Sequence, residues 1–273
     1  MFTTREIEIY EALPGVSADI KAVVFDFDGT ISTLRYGWEG IMEPMMMELI
    51  VNGRPITDEL VIEVKEYIDQ STGIQTIFQM QWLAETVKKY NNNPRAVDDP
   101  WWYKEEYNRR LMEIVNQRIK ELEAGIKRRE DYLIKGSIEL MEELKRHDIA
   151  IFAASGTGHP DVVRESTCLG VYPYFTKVAG APVGRADCSK EAVLRNLIED
   201  KGLKGPEVLV IGDGKVEIML GREVGAVTIG IASDEENRQG INEIKRKRLQ
   251  KAGAHAIIGD FGNIDAILKF VGM

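Results

Sequence analysis

Residues 21–30 of the chain read KAVVFDFDGT, an apolar run that stops at a pair of aspartates. The run from Lys21 to Phe25 is short and rich in β-branched residues, which favours a strand. Its apolar residues are continuous and do not alternate with polar ones, so we expect both faces of the strand to be buried, as in a parallel sheet. The residues from Asp26 to Thr30 predict a polar loop at the carboxyl end of that strand.

Strands and helices alternate from about residue 134 to the end of the chain. Strands are predicted at 149–154, 176–179, 208–211, 226–231 and 256–258, and the alternating IEIY at 7–10 predicts a short edge strand. Helices are predicted between them, beginning at or near Ser137, Pro160 and Ser189. This order predicts an α/β fold with a Rossmann-like, doubly wound parallel sheet.

The segment 35–133 has a different character. Apolar residues such as Ile56, Leu60 and Val64 recur there at helical spacing, and strand signals are almost absent. We therefore predict an all-helical domain inserted at 35–133. Residues 1–34 and 134–273 together are predicted to form the α/β core.

Composition limits the partners of the chain. Its formal net charge of −9 argues against nucleic acid or an anionic membrane as the main partner. The N-terminus lacks the apolar region of a signal peptide, no apolar run is long enough to cross a membrane, and two cysteines do not make a disulfide framework. We expect a cytoplasmic monomer or homodimer with free thiols. The basic run KRKRLQK at 245–251 is interpreted as a solvated helix face.

Polar residues follow three of the predicted strands. Asp26 and Asp28 end the first, Ser155 ends the strand IAIFAA, and Asp213 ends the strand VLVI. Ligands of doubly wound sheets bind outside the carboxyl ends of the strands. We therefore expect these residues, which are distant in sequence, to converge on one site.

The carboxylates of this site favour a hard cation. Asp26 and Asp28 would repel each other unless a cation neutralises them or one is protonated. Asp213 adds a third carboxylate, and Glu217 follows it by one helical turn. Oxygen donors without histidine or cysteine suit Mg²⁺.

The same residues suit phosphoryl transfer. A carboxylate can attack phosphorus to give an aspartyl-phosphate, and a second one can protonate the leaving oxygen and later activate water. The Ser155 hydroxyl, the amides of the Gly156–Gly158 loop and a lysine could hold the phosphoryl oxygens. Lys190 is placed for this role in the first turn of a predicted helix.

Four motifs in order give the chain a resemblance to the haloacid dehalogenase-like superfamily, of the phosphatase kind. VVFDFDGT matches the first motif, Ser155 after IFAA the second, Lys190 the third and IGDGKVE the fourth. The helical insert after the first motif resembles the C1 cap of that family. Phosphoglycolate phosphatases and β-phosphoglucomutases are the kinds of member that it is most similar to.

The resemblance implies a role for each matching residue. Asp26 would be the nucleophile and a magnesium ligand, and Asp28 the general acid and base, with its backbone carbonyl on the metal. Ser155, Gly156 and Lys190 would bind the transferring phosphoryl group. Asp213 would ligate magnesium, and Glu217 would hold one of its water molecules from outside the ligand sphere.

The function that this implies is hydrolysis of a small phosphorylated metabolite, such as a sugar phosphate, by a magnesium-dependent phosphatase. A phosphosugar mutase is the alternative, because it uses the same residues and passes the phosphoryl group to a sugar instead of water. A 2-haloacid dehalogenase fits less well, because that chemistry needs no magnesium and its relatives usually lack the second aspartate.

Overall fold

A computed structural model describes residues 7–11, 13, 19–90, 96–182 and 190–273. The chain divides into two compact units, one formed by Met1–Tyr36 with Ile119–Met273 and the other by Gly37–Arg118. The domain boundaries predicted from sequence, at 34/35 and 133/134, stay a prediction. The predicted helix start at Ser189 and the second cysteine, Cys188, lie outside the described residues.

The first unit contains a seven-stranded sheet. Its strands in chain order are β1 (Glu8–Ile9), β2 (Ala22–Phe25), β3 (Ala150–Gly158), β4 (Lys177–Ala181), β5 (Val208–Gly212), β6 (Val227–Ile231) and β7 (Ala256–Ile258). They lie in the order β1-β7-β6-β5-β2-β3-β4, and all neighbours are parallel except β1 and β7. The predicted α/β fold is confirmed, and the edge strand predicted within 7–10 is present.

Strand β2 lies at the point where the winding of the sheet reverses. The chain moves from β2 to β3 and β4 on one side, and then returns to β5, β6 and β7 on the other. Such a reversal opens a crevice at the carboxyl ends of the central strands. The loop that begins at Asp26 lies at this crevice.

Ten helices are described along the chain. They are α1 (Glu39–Val51), α2 (Asp58–Gln70), α3 (Thr76–Tyr90), α4 (Pro100–Glu123), α5 (Ser137–Arg146), α6 (His159–Cys168), α7 (Lys190–Lys201), α8 (Lys215–Glu223), α9 (Glu243–Lys251) and α10 (Ile264–Val271). None of these described helices is long and apolar enough to cross a bilayer.

The core of the first unit explains why β2 is continuously apolar. All four of its residues are buried, and Ala22 and Val24 pack with Val208 and Val210 of β5. Leu194 of α7 covers this face of the sheet, together with partly buried residues of α7 and α8. Each fully buried aliphatic side chain of this kind contributes about 1.5–3 kcal/mol, which holds the strand rigid beneath its loop.

The second unit is helical throughout its described part. It contains α1, α2, α3 and most of α4, as the helical periodicity predicts. Leu60 and Val64 of α2 form a buried stripe, and Met80 and Leu83 of α3 are fully buried.

Candidate active site

Three strand ends bring the predicted residues of the first unit together. In the register of the sheet, Phe25 lies beside Ala153 of β3 and Ile211 of β5. The amide of Asp26 donates to the carbonyl of Ile211 at 2.9 Å, so the pairing with β5 extends into the loop. The expected convergence is therefore a direct result of strand register.

Three carboxylates form what we call the acidic cluster, defined as Asp26, Asp213 and Glu217. All three are buried. One carboxylate oxygen of each residue lies within 4.8 Å of one oxygen of the other two. The carboxylate of Asp28 is not among them. Its proposed contact through the backbone carbonyl stays a prediction.

Lys190 at the start of α7 contacts two members of the acidic cluster. Its Nζ lies 2.5 Å from Asp26 Oδ1 and 3.1 Å from Glu217 Oε2. Burial alone would lower the pKa of Lys190, but the neighbouring carboxylates of Asp26 and Glu217 outweigh burial and raise it. Lys190 is therefore a permanent cation beside the carboxylate of Asp26.

Asp26 itself is held in a charged and poorly solvated environment. Burial raises its pKa, and the ammonium group of Lys190 acts in the opposite direction. The hydroxyl of Thr30 lies 3.4 Å from Asp26 Oδ2 and donates to it. The side chain thus has a fixed orientation at the crevice.

Glycines allow the loops of the site to approach each other. Gly29 has φ of +75°, and a Cβ there would lie 2.4 Å from Asp213 Oδ2. A Cβ on Gly212 would lie 2.3 Å from Glu217 Cγ. Glu217 accepts the amide of Gly214 at 2.6 Å, which fixes it in the first turn of α8. Larger residues at these glycines would push the acidic cluster apart.

Asp28 lies among hydroxyl groups from β3. Its Oδ2 accepts hydrogen bonds from Ser155 Oγ at 3.2 Å and Thr157 Oγ1 at 2.8 Å. Ser155 Oγ in turn accepts the amide of Thr157 at 3.0 Å. Sequence reasoning placed Ser155 here but missed Thr157, because the strand was expected to end at Ser155.

Strand β3 continues to Gly158, with a change of register between Ala154 and Gly158. Such irregularities re-aim side chains at the edges of sites. Gly156 lies in this extension and is half-buried. Its expected contact with a phosphoryl group stays a prediction.

A buried ion pair anchors the loop that follows Asp28. The guanidinium of Arg35 contacts Glu165 of α6 at 2.6 Å through Nη2 and at 3.1 Å through Nε. Its Nε also lies 3.7 Å from Asp28 Oδ1, and Asp161 lies 3.6 Å from Nη2. Burial raises the pKa of Glu165 to about 7, although Arg35 favours its ionised form.

The interpretation of 245–251 as a solvated helix face is wrong for Lys245. This lysine of α9 is buried, and its Nζ lies 2.7 Å from Asp213 Oδ2 and 2.6 Å from Glu235 Oε1. Burial alone would raise the pKa of Asp213, but Lys245 outweighs it and the pKa is lowered. Lys245 and Leu249 are spaced i, i+4 and both lie on the inner face of α9, but this spacing alone does not tell which face of the helix is the inner one.

The acidic cluster fits a magnesium ion on chemical grounds. It offers only carboxylate oxygens, it is buried, and its three negative charges are close enough to share one cation. Lys190 and Lys245 offset part of that charge but leave carboxylate oxygens for a metal. Asp26 and Asp213 are the predicted ligands, and Glu217 lies within the same group of oxygens.

Comparison with solved structures finds the same fold in several proteins. A predicted phosphoglycolate phosphatase from Haemophilus somnus 129PT matches with a TM-score of 0.61 at 17% identity, covering 91% of this chain and 98% of that one. A β-phosphoglucomutase from Clostridium difficile matches with a TM-score of 0.60 at 17% identity, covering 92% and 97%. A haloacid dehalogenase-like family protein from Streptococcus pneumoniae matches with a TM-score of 0.55 at 17% identity, covering 93% and 99%.

Comparison of the sequence with family models shows the family to which the chain belongs. No curated protein matches the chain. A model of the haloacid dehalogenase-like hydrolase family matches residues 20–225, which include every predicted site residue and exclude Lys245. The chain is therefore a hydrolase of the haloacid dehalogenase-like family.

Proposed function

We propose that this hydrolase is a magnesium-dependent phosphatase that acts on a small phosphorylated metabolite through an aspartyl-phosphate on Asp26. The observation that carries the proposal is the surroundings of Asp26. Its carboxylate lies in the buried acidic cluster with Lys190 Nζ 2.5 Å from Oδ1. A carboxylate held this way is oriented for attack and is shielded from bulk water.

Asp26 and Asp213, with the backbone carbonyl of Asp28, are the residues that would hold the magnesium ion. Glu217, whose two oxygens accept hydrogen bonds from Gly214 and Lys190, would hold one of the water molecules of the ion. When bound, the ion supplies positive charge that reduces the repulsion between the phosphate and the carboxylates. Asp26 attacks the phosphorus, and the bond between phosphorus and the leaving oxygen breaks. Lys190 binds the phosphoryl oxygens as charge shifts during this transfer, and the hydroxyl of Ser155 joins it by turning away from Asp28 Oδ2, which still accepts from Thr157.

Asp28 is proposed as the proton donor to the leaving oxygen and then as the base that activates water. The hydroxyls of Ser155 and Thr157 hold its Oδ2, whereas Oδ1 is buried and accepts no hydrogen bond from the described residues. Oδ1 lies 3.7 Å from Arg35 Nε, so the guanidinium offsets the charge of a carboxylate oxygen to which no described residue donates a hydrogen bond. The water that Asp28 activates attacks the aspartyl-phosphate and releases phosphate.

The mutase alternative uses the same residues and differs in the acceptor of the phosphoryl group. Dehalogenation is less well supported, because it leaves Asp28 and the acidic cluster without a role. Free phosphate is the product that separates the proposed phosphatase from both alternatives.

The proposal is tested by measuring phosphate release from a panel of phosphorylated metabolites, with Mg²⁺ and with EDTA. We expect release from at least one member, with Mg²⁺ only. The D26N variant should release none while keeping the far-ultraviolet circular dichroism of the wild type. Turnover that depends on a sugar bisphosphate and releases no phosphate would favour the mutase, and halide release from an added 2-haloacid in EDTA would favour the dehalogenase.

A further inference from the structure

Lys245 is the second buried lysine of the site, and the family model does not reach it. Its Nζ contacts Asp213 Oδ2 at 2.7 Å, Glu235 Oε1 at 2.6 Å and Ser233 Oγ at 3.2 Å. An ammonium group has three protons to donate, and three acceptors surround this one. The position of Asp213 Oδ2 is therefore set by a fully engaged donor.

The neighbours of Lys245 are themselves held in place. Ser233 Oγ donates to the carbonyl of Gly29 at 2.6 Å, which connects Lys245 to the loop that carries Asp26 and Asp28. Asn242 caps α9 and accepts the amide of Lys245 at 3.1 Å. The lysine thus approaches Asp213 from a fixed helix end and cannot move away without breaking several contacts.

We propose that Lys245 selects magnesium over calcium by keeping one oxygen of Asp213 occupied, so that this carboxylate offers a cation a single oxygen. This inference rests on the metal site in the proposed function. Mg²⁺ demands octahedral geometry with single oxygens, whereas Ca²⁺ takes six to eight oxygens and accepts carboxylates through both. A lysine that occupies one oxygen of Asp213 prevents the carboxylate from binding a cation through both oxygens. Calcium uses such bidentate coordination, and magnesium does not.

Lys190 acts on the other two carboxylates of the acidic cluster as Lys245 acts on Asp213. It contacts Asp26 Oδ1, and Glu217 is held by both Lys190 and the amide of Gly214. Each carboxylate of the acidic cluster therefore has at least one oxygen engaged by a protein donor. Lys245 is the donor that acts on Asp213.

The test is a comparison of Mg²⁺ and Ca²⁺ dissociation constants by titration calorimetry on chelator-stripped protein. In K245M we expect the preference for Mg²⁺ over Ca²⁺ to fall by about tenfold or more, the size of one hydrogen bond to a charged group. K247M is the matched control, because Lys247 is exposed on the same helix, and it should keep the wild-type ratio. A purely structural role for Lys245 would weaken both cations alike.

A second variant covers the case in which K245M does not fold because Asp213 and Glu235 are left facing each other. K245M/E235Q removes one charge of each sign, and it should show the same loss of preference. An unchanged ratio in either folded variant, with Mg²⁺ bound by the wild type, overturns the role of Lys245 alone. A wild-type protein that binds no Mg²⁺ overturns the metal site of the proposed function as well.

Discussion

The two carboxylate oxygens of Asp28 have different surroundings. Oδ2 accepts two hydroxyl donors, whereas Oδ1 is buried without a hydrogen bond from the described residues and lies 3.7 Å from Arg35 Nε. This asymmetry holds the side chain of Asp28 in one orientation. It is the structural basis for separating the role of Asp28 from that of Asp26.

We predict that D28N lowers kcat by about 10²- to 10⁴-fold, because an amide cannot transfer a proton as the carboxyl group does. The affinity for Mg²⁺ should change little, since the carboxylate of Asp28 is outside the acidic cluster. Steady-state kinetics and a metal titration on the same preparation check both points. A kcat within threefold of the wild type would remove Asp28 from proton transfer.

Among single residues, the sequence predicted those that belong to the four motifs and missed residues, such as Lys245, that contact the motif residues. Asp26, Asp28 and Asp213 follow apolar strands, so their positions could be read from the pattern. Lys245 could not, because a lysine in a basic run looks the same whether it faces water or a carboxylate. Only the packing of α9 against β6 shows which lysine of the run is buried.

Among the elements, the contact between the loop after Asp28 and α6 depends on one buried ion pair. Arg35 and Glu165 are both buried, and three hydrogen bonds from the guanidinium reach the carboxylate, two of them from Nε. The pair fixes the end of the loop to a helix that follows the Ser155 strand. Removal of one partner leaves a buried charge without compensation.

We predict that R35M lowers the free energy of unfolding by about 3–5 kcal/mol, because Glu165 is left buried and unpaired. The double variant R35M/E165M should recover part of this loss. R195M, which removes exposed pairs with Glu191 and Glu223, is the control and should cost less than about 1 kcal/mol. Urea unfolding at pH 8 gives the values, and an R35M loss no larger than that of R195M would contradict the prediction.

Strands β6 and β7 are joined by a buried histidine. The amide of Thr228 lies 3.1 Å from His255 Nδ1 and donates to it, and the guanidinium of Arg222 contacts Nε2. Burial and the charge of Arg222 lower the pKa of His255, while Glu11 opposes them. The folded protein therefore favours the neutral ring.

This predicts a loss of stability in acid. The unfolded chain takes up the His255 proton near pH 6.5, before the folded chain does, so the free energy of unfolding falls as the pH drops through and below that value. H255N should reduce this pH dependence. Denaturant unfolding between pH 8 and pH 5 measures it, and equal slopes in H255N and the wild type would refute it.

The order of helices and strands along the chain was predicted better than the residues at which they begin and end. The strand that carries Ser155 continues to Gly158, because its irregular pairing with β4 extends it past the apolar run. Helix α5 starts with Ser137 as its first residue, after Gly136 in a left-handed conformation. Both ends are set by contacts with distant segments, which hydrophobic periodicity does not show.

On the scale of the whole molecule, the doubly wound parallel sheet was the most informative prediction. An apolar β2 that lies between β3 and β5 brings residues 26, 155 and 213 to one edge of the sheet. The predicted boundaries of the inserted domain stay a prediction, and α4 is continuous from Pro100 to Glu123 with residues in both units. A continuous helix gives no sequence signal where it passes from one unit to the next.

The central claim is that Asp26 accepts the phosphoryl group. The most direct test is to quench the enzyme in acid during turnover of a substrate found in the panel, and to locate added phosphate by mass spectrometry of the peptide 22–35. We predict a phosphorylated Asp26 in the presence of Mg²⁺, none in D26N, and none in EDTA. Sustained phosphate release by D26N, or phosphate found on a different residue, would contradict the account.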